Sequence, residues 1–336
     1  MFKNILNYLK SNIWFPLSML IFITYALQRG LASFAKTDMV MPWLADGMGI
    51  YFTTMSLAIL VGGFILDKIS SKKVVLFATG IGILGILGLI QGPWLFGICF
   101  GIAAAFMKLI PYSAPLKLND GNDGLRISPQ ASAKNFGGAF FLLFFGAFIM
   151  TFSFNVVVVT LSLLFAIIGL WAYNVLPDDK IKGWDISEIK EVIKSWKFWV
   201  FMGYFFIMCG VYYVAIMGFF PAMMKISGYT KGETITLMAL SFILAGFLRW
   251  PSAWLGEKIG KGKILAIGTL GMIATIPLTT INPLLAMYFF APFSAVHTPN
   301  YWALAKDMFG KKYLATVIGL GFVVMYLGAG IMYGKW

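Results

Sequence analysis

Gly62-Gly63-Phe64-Ile65-Leu66-Asp67-Lys68-Ile69-Ser70-Ser71-Lys72-Lys73-Val74 aligns without a gap to Ser252-Ala253-Trp254-Leu255-Gly256-Glu257-Lys258-Ile259-Gly260-Lys261-Gly262-Lys263-Ile264. Small residues, an acid, Lys, Ile, a later Lys and a β-branched residue recur in the same order. Each segment leaves one apolar run and enters another, so each reads as a tight basic turn between two helices. A turn that occurs twice implies a structural unit that occurs twice.

The runs flanking these turns decide the solvent. The chain of 336 residues is 60% hydrophobic and only 12% charged, where a soluble globular protein carries about 25% charge. Its mean hydropathy is +0.85. The apolar residues fall in long runs, and about 20 such residues cross a hydrocarbon core of about 30 Å as a helix. Runs and breakers predict eleven spans: 13–35, 47–66, 74–91, 93–111, 135–153, 156–175, 198–222, 234–255, 263–280, 283–304 and 313–333. Gly92-Pro93 and Asn282-Pro283 punctuate two tight hairpins. The repeated turns join spans 2–3 and 8–9, which are equivalent positions if six spans form one repeat. The expected fold is an all-α membrane bundle of two pseudo-symmetric repeats, 1–176 and 198–336, joined by a linker over 177–197. In the linker, Ile186, Ile189, Ile193 and Trp196 recur at helical spacing, and Asp185 and Glu188 suit a capping box. A short amphipathic helix on the inner membrane face is expected.

Charge placement orients the bundle. With the N-terminus inside, nineteen of the 26 Lys and Arg fall in inside segments, Lys117, Arg126, Lys134 and Lys306 among them. Four (Lys36, Lys225, Lys231 and Lys335) fall outside, and Arg29, Lys108 and Arg249 lie within spans. The positive-inside rule then puts the N-terminus in the cytoplasm of a prokaryotic inner membrane. The net charge of +13 reads as an inner-leaflet surface and calls for no nucleic acid. Met1 to Lys10 is short and basic, and the run that follows it to Ala35 lacks a small-residue cleavage site, so it is expected to stay as span 1. Cys99 and Cys209 lie in separate apolar runs without CxxC or metal-ligand spacing and read as buried small hydrophobes. No cofactor or metal is expected.

The first turn resembles the signature loop between spans 2 and 3 of the major facilitator superfamily, which runs roughly Gly-x-x-x-Asp-Arg-x-Gly-Arg-Arg. The matching residues are Gly63, Asp67, Lys68, Lys72 and Lys73, with Glu257, Lys258 and Lys263 as a degenerate second copy. Lys replaces Arg, and Ser70 replaces the glycine. The resemblance implies that Asp67 clamps an inside gate, pairing with basic residues and a neighbouring helix end. It also implies twelve spans, whereas this sequence ends at Trp336 after the eleventh, by truncation or because the last helix is dispensable. That helix is peripheral in the family fold, so the central cavity is expected to persist.

Ionisable groups within spans cost about 2.5–3.5 kcal/mol on insertion scales and mark functional sites. Four occur here: Arg29, Lys108, Arg249 and His297, on spans that line the central pathway in the resembled family. No Asp or Glu lies in the interior of a span. Cations without a counter-ion point to an anionic substrate. The segment Arg249-Trp250-Pro251-Ser252-Ala253-Trp254-Leu255-Gly256-Glu257 resembles the Arg-Pro-x-Gly-Gly-Trp-Leu-x-Asp run of nitrate/nitrite porters, whose arginine contacts the anion. Those porters carry a second arginine where this chain has Ile59. Ala133-Lys134-Asn135-Phe136-Gly137-Gly138 echoes their glycine-rich span 5. Tyr25-Ala26-Leu27-Gln28-Arg29 resembles the Tyr-x-x-x-Arg of organophosphate and organic-anion porters, where a guanidinium fork holds phosphate or carboxylate. The expected binding residues are therefore Arg29, Arg249, Tyr25, Gln28, Lys108, His297, Asn300, Asn135, Tyr204 and Tyr212. Each cation has a plainer structural reading: Arg249 as an interhelical anchor, and Arg29 and Lys108 as snorkelling side chains. His297 reads as a proton carrier or as a core histidine bonded to backbone or to Asn300.

Catalytic signatures are missing. No His-Glu-x-x-His, nucleophile elbow or phosphate loop occurs, and Gly80-x-Gly82-x-x-Gly85 lies within a span. The expected function is secondary transport of a small anion by a monomer, with a proton or counter-anion as coupling partner. The alternative is a non-transporting subunit or sensor built on the same fold.

Overall fold

A computed structural model describes residues 13–35, 43–118, 121–178, 186–213, 215, 219–311 and 313–333. The basic segment Met1 to Lys10, Lys36, Lys335 and Asp185 of the expected capping box lie outside the described residues, as do the side chains of Cys209 and Tyr213. In chain order the helices are α1 (Trp14–Ala35), α2 (Leu44–Lys68), α3 (Ser71–Gln91) and α4, which starts at Pro93–Leu95 and runs through a π-helical stretch, Phe96–Phe100, into Gly101–Leu118. Then come α5 (Asp123–Thr151), α6 (Phe154–Val175), α7 (Ile186–Lys194), α8 (Trp196–Tyr213), α9 (Phe220–Ile226) and α10 (Lys231–Ile259). The chain continues as α11 (Lys261–Thr275), α12 (Pro283–Ala295), α13 (His297–Phe309) and α14 (Leu314–Tyr333).

Among the described residues, six helices are long and apolar enough to cross a membrane: α2, α3, α4, α6, α10 and the stretch Lys261–Thr280. The other five expected spans fall on helices that are interrupted, more polar or only partly described. The outer surface is oily. Leu163 and Ile167 on α6, Phe206 on α8 and Leu270 on α11 are each 60% exposed or more, so these faces match hydrocarbon and not water. Over the linker the chain forms α7, whose Val192 and Ile193 pack onto the core, and the following Trp196 is exposed.

The two repeated turns are solved differently. After α10 the chain reverses at Gly260, whose φ of 101° favours glycine, whereas after α2 it passes through an extended Ser70 with φ of −58°. What the two copies share is an acid in the last turn of the preceding helix. A carboxylate there opposes the negative helix end, so it needs partners elsewhere. Asp67 is fully buried. It pairs with Lys117 Nζ at 2.5 Å and accepts from the Thr316 backbone N–H at 2.9 Å and Thr316 Oγ1 at 2.7 Å. Thr316 is the third residue of α14, so Asp67 caps the positive start of that helix. Glu257 does the same for α5, accepting from the Gly124 backbone N–H at 3.0 Å. Lys261 bridges Glu257 (3.9 Å) to Asp307 (2.6 Å), and Lys306 pairs with Asp123 at 2.8 Å. Gly63 allows the first contact, because a Cβ there would meet the Ala315 carbonyl oxygen at 2.7 Å and Thr316 Cα at 2.8 Å. Lys72 lies over the Tyr173 ring at 4.9 Å and Lys258 over Trp254 at 6.0 Å, while Lys73 and Lys263 are exposed.

Four cations expected in inside loops are corrected by this geometry. Lys117 stands in the last turn of α4, Arg126 and Lys134 belong to α5, and Lys306 belongs to α13; all but Lys117 are buried. The cause is that α5 begins at Asp123 and not near residue 135. Residues 128–135 hold Ser128, Pro129, Gln130 and Ser132, which hydropathy reads as a loop. In the bundle such small polar residues pack between helices. Ser132 Oγ donates to the Gly246 carbonyl of α10 at 2.8 Å, and Ser128 Oγ to the Gly124 carbonyl at 2.8 Å.

Close approach at Gly63 makes a specific expectation. Gly63→Ala must push α14 away from α2 and lower the thermal midpoint in detergent by several degrees. Gly80→Ala, where a Cβ meets nothing within 4 Å, leaves it unchanged or slightly higher. Equal midpoints for the two variants would refute the close-approach role.

Candidate functional site

A small cavity lies between α1, α4, α5, α8, α10, α12, α13 and α14, with Lys134, Arg249, His297, Tyr25, Tyr112 and Tyr212 in its wall. Trp302 completes its aromatic side. Among the described residues no carboxylate lines it. The described acids sit at helix ends, in the linker helix or in short connections.

Arg249 is held by a defect in a neighbouring helix. Pro299 has no N–H to give the Ala295 carbonyl four residues back, and α12 and α13 are separated at Val296. The freed Ala295 oxygen accepts from Arg249 Nη1 at 2.9 Å and from Ser252 Oγ at 3.2 Å. Arg249 is 1% exposed, and its Nε has no hydrogen-bond partner among the described residues. The guanidinium is thus anchored at one tip within the cavity wall.

Tyr25 organises the other cations. Its ring centre lies 4.6 Å from Lys108 Nζ, 5.2 Å from Lys134 Nζ and 5.8 Å from Arg29 Cζ. Arg29 crosses α5 where Gly138 leaves room for its side chain. Its Nη2 donates to Tyr212 Oη at 3.1 Å and its guanidinium stacks on Phe242 at 4.2 Å. Arg29 is therefore tied to α8 and α10 and does not snorkel. Lys108 does not snorkel either: it is fully buried, donating to Gln28 Oε1, to Tyr51 Oη at 3.2 Å and to Met55 Sδ at 3.0 Å. Phe96 and Phe100, in the π-helical stretch of α4, stack on Tyr51 at 6.0 and 5.5 Å and fix its hydroxyl. Cation–π contacts return roughly 0.5–2 kcal/mol each, less than the roughly 2.5–3.5 kcal/mol insertion cost of each charge.

Lys134 is the residue that sequence reading missed. It lines the cavity and also approaches the Tyr212 ring at 5.9 Å. The signal lay in Ser128 to Ser132, whose small polar residues belong to a helix interface. Asn135 follows it, buried, with neither amide atom bonded among the described residues.

Two expected binding residues lie elsewhere. Asn300 packs against Gly256 and donates to the Ser252 and Val296 carbonyls at 3.2 and 2.8 Å. Tyr204 donates to the Leu265 carbonyl at 3.0 Å and bonds Thr269 Oγ1 at 2.7 Å. Both are drawn to backbone carbonyls and helix neighbours, outside the cavity wall. His297 lines the cavity, and its Nε2 bonds Thr269 Oγ1 at 3.0 Å, so its partner is a hydroxyl of α11 and not Asn300.

Residues 4–333 match the family described as Major Facilitator Superfamily. The chain is similar in structure to the E. coli fucose:proton symporter FucP, at 15% identity and TM-score 0.72, over 97% of this chain and 90% of that one. It is also similar to an outward-facing bacterial homologue of the iron transporter ferroportin, at 13% identity and TM-score 0.70, over 96% and 91%. The proton:xylose symporter XylE gives 15% identity and TM-score 0.70 over 97% and 88%. No curated protein matches. At these identities the likenesses show the fold alone.

The Lys108 pocket is tested by two substitutions. Lys108→Met removes the charge at similar volume, so the thermal midpoint is expected to stay or rise. Gln28→Leu keeps the charge and removes its acceptor, at a cost of about 1.5–3 kcal/mol. Thermal unfolding in detergent ranks them, and the reverse order would contradict the pocket as described.

Proposed function

Because this chain belongs to the Major Facilitator Superfamily, we propose that it is a secondary transporter of a small anion, working by alternating access between repeats 1–176 and 198–336. The observation that carries this is the cavity in whose wall and immediate surround lie Arg29, Lys108, Lys134 and Arg249, with no carboxylate lining it. A metal ion as cargo would meet one histidine and no acid. The nitrate/nitrite and organic-anion branches remain the closest in chemistry. The arginine those porters carry at the second position is lacking, because Ile59 stands there, and Lys134 supplies charge from α5 instead. A proton or a counter-anion is the coupling partner, and the N-terminus faces the cytoplasm of a prokaryotic inner membrane. Asp67 and Glu257 hold the lysine-rich side closed by capping helices of the opposite repeat.

A neutral sugar is the second reading. Two of the similar structures are sugar–proton symporters, and Tyr25, Tyr212 and Trp302 would suit a sugar ring. It makes no use of the cations in and around the cavity, which is why the anion is preferred.

Arg249 decides between them. Arg249→Gln keeps a hydrogen-bond donor for the Ala295 carbonyl but no charge, so anion uptake into proteoliposomes is expected to vanish while the protein stays folded. Arg249→Lys rescues partly, a point charge replacing a fork. In wild type, a bound anion at a hundredfold excess over its dissociation constant adds about 2.7 kcal/mol of stability. Stabilisation by fucose or xylose and by no anion sinks the anion reading, and a chain that binds anions without moving them is a sensor or subunit.

The lock is tested separately. Asp67→Asn is expected to speed labelling of a cysteine at Ser294 by an impermeant maleimide added from the lysine-rich side. Unchanged labelling would return Asp67 to a packing role.

A further inference from the structure

We infer that the Tyr112 hydroxyl is a ligand-binding group, and that with Arg249 Nε it holds the oxygens of a compact oxyanion. This rests on the anion reading and narrows it to a size and two donors. Tyr112 stands on α4, fully buried, and its Oη has no hydrogen-bond partner among the described residues. Three other hydroxyls of the cavity wall are engaged. Tyr212 Oη accepts from Arg29 at 3.1 Å, Ser294 Oγ donates to the Ala291 carbonyl at 2.8 Å, and Tyr301 Oη donates to the Phe201 carbonyl at 3.3 Å. The Tyr112 ring lies 6.2 Å from those of Trp302 on α13 and Phe322 on α14, so packing is served by the ring alone. A buried hydroxyl that bonds nothing costs stability, and phenylalanine would fill the same space without that cost. A ligand that accepts from the hydroxyl offsets it.

Arg249 supplies the second donor. It lines the same cavity from α10, 1% exposed, with Nη1 on the Ala295 carbonyl and Nε bonded to nothing among the described residues. A phenol O–H and a guanidinium N–H both donate, so their common ligand is an acceptor with several oxygens, and a charged one suits the guanidinium best. Size narrows it further. The cavity measures about 40 Å³, against the roughly 10–15 Å³ that one water requires. In this conformation that admits a planar or tetrahedral inorganic oxyanion, and neither a sugar ring nor a four-carbon diacid. Because α4 and α10 belong to different repeats of the proposed transporter, one such ligand touches both and favours the state in which they are apposed.

The test titrates the full chain in detergent with nitrate, phosphate and sulfate, and with succinate and fucose as larger probes, taking dissociation constants from thermal shifts. At least one of the oxyanions is expected to bind wild type about tenfold tighter than succinate or fucose. Tyr112→Phe, which removes only the hydroxyl, is expected to weaken that oxyanion about tenfold, equivalent to about 1.4 kcal/mol. The ligand-free thermal midpoint of the variant is expected to stay or rise, which a hydroxyl serving the fold would not allow. A ligand-free midpoint lowered by several degrees, or an affinity within about twofold of wild type, overturns the role of Tyr112 and leaves the anion porter standing. Succinate bound as tightly as the oxyanions or tighter overturns the compact-ligand inference, again without touching the anion reading. Failure of every anion, succinate included, overturns the anion reading itself, whether or not fucose binds.

Discussion

A positive charge placed in hydrocarbon has to be answered, and among the described residues the answer around the central cavity is aromatic, carbonyl and hydroxyl, with no carboxylate in its lining. That constraint shapes the local structure around it. Gly138 exists as a glycine where Arg29 crosses α5. Tyr51 is clamped by two phenylalanines so that its hydroxyl meets Lys108. The Ala295 carbonyl is released by Pro299 so that Arg249 has one firm partner. Each device steadies a cation through ring, hydroxyl or carbonyl contacts.

Two acids, Asp67 and Glu257, are placed at helix ends where they cap the starts of other helices. Asp67 and Glu257 both stand at the negative end of their own helix and gain only when another helix docks its start against them. Such a cap contributes about 0.3–2 kcal/mol by the helix dipole and about 1.5–3 kcal/mol for a charge-assisted hydrogen bond. A ligand moves a two-state equilibrium only by its differential affinity for the two states. Contacts of this size lie within the reach of a ligand that prefers one state. Asp67 and Glu257 sit at helix ends against the starts of other helices, and Lys134 and Arg249 line the cavity.

Much of this was legible before any coordinates. The gapless repeat located both acids, and the absence of acids within spans foretold the cationic cavity. Arg249, Arg29, Tyr25, Tyr212, Lys108 and His297 all lie in or beside it. The failures share a cause. Lys134 was read as a loop lysine because Ser128 to Ser132 lower the local hydropathy, although small polar residues are what helices in lipid use to touch. Asn300 and Tyr204 were placed in the site by helix and residue type, whereas backbone carbonyls one helix away claimed them. Neither the side chain a helix turns inward nor the carbonyl a distant proline frees can be read from hydropathy.

Anomalous scattering from tungstate, a divalent anion, bound to the full chain would test the cationic cavity most directly. The expected result is a strong tungsten peak inside the cavity, between Lys134 and Arg249, that disappears in Arg249→Gln. A map in which tungsten sits only at the exposed lysines, with the cavity filled by an added neutral sugar, would contradict the anion site.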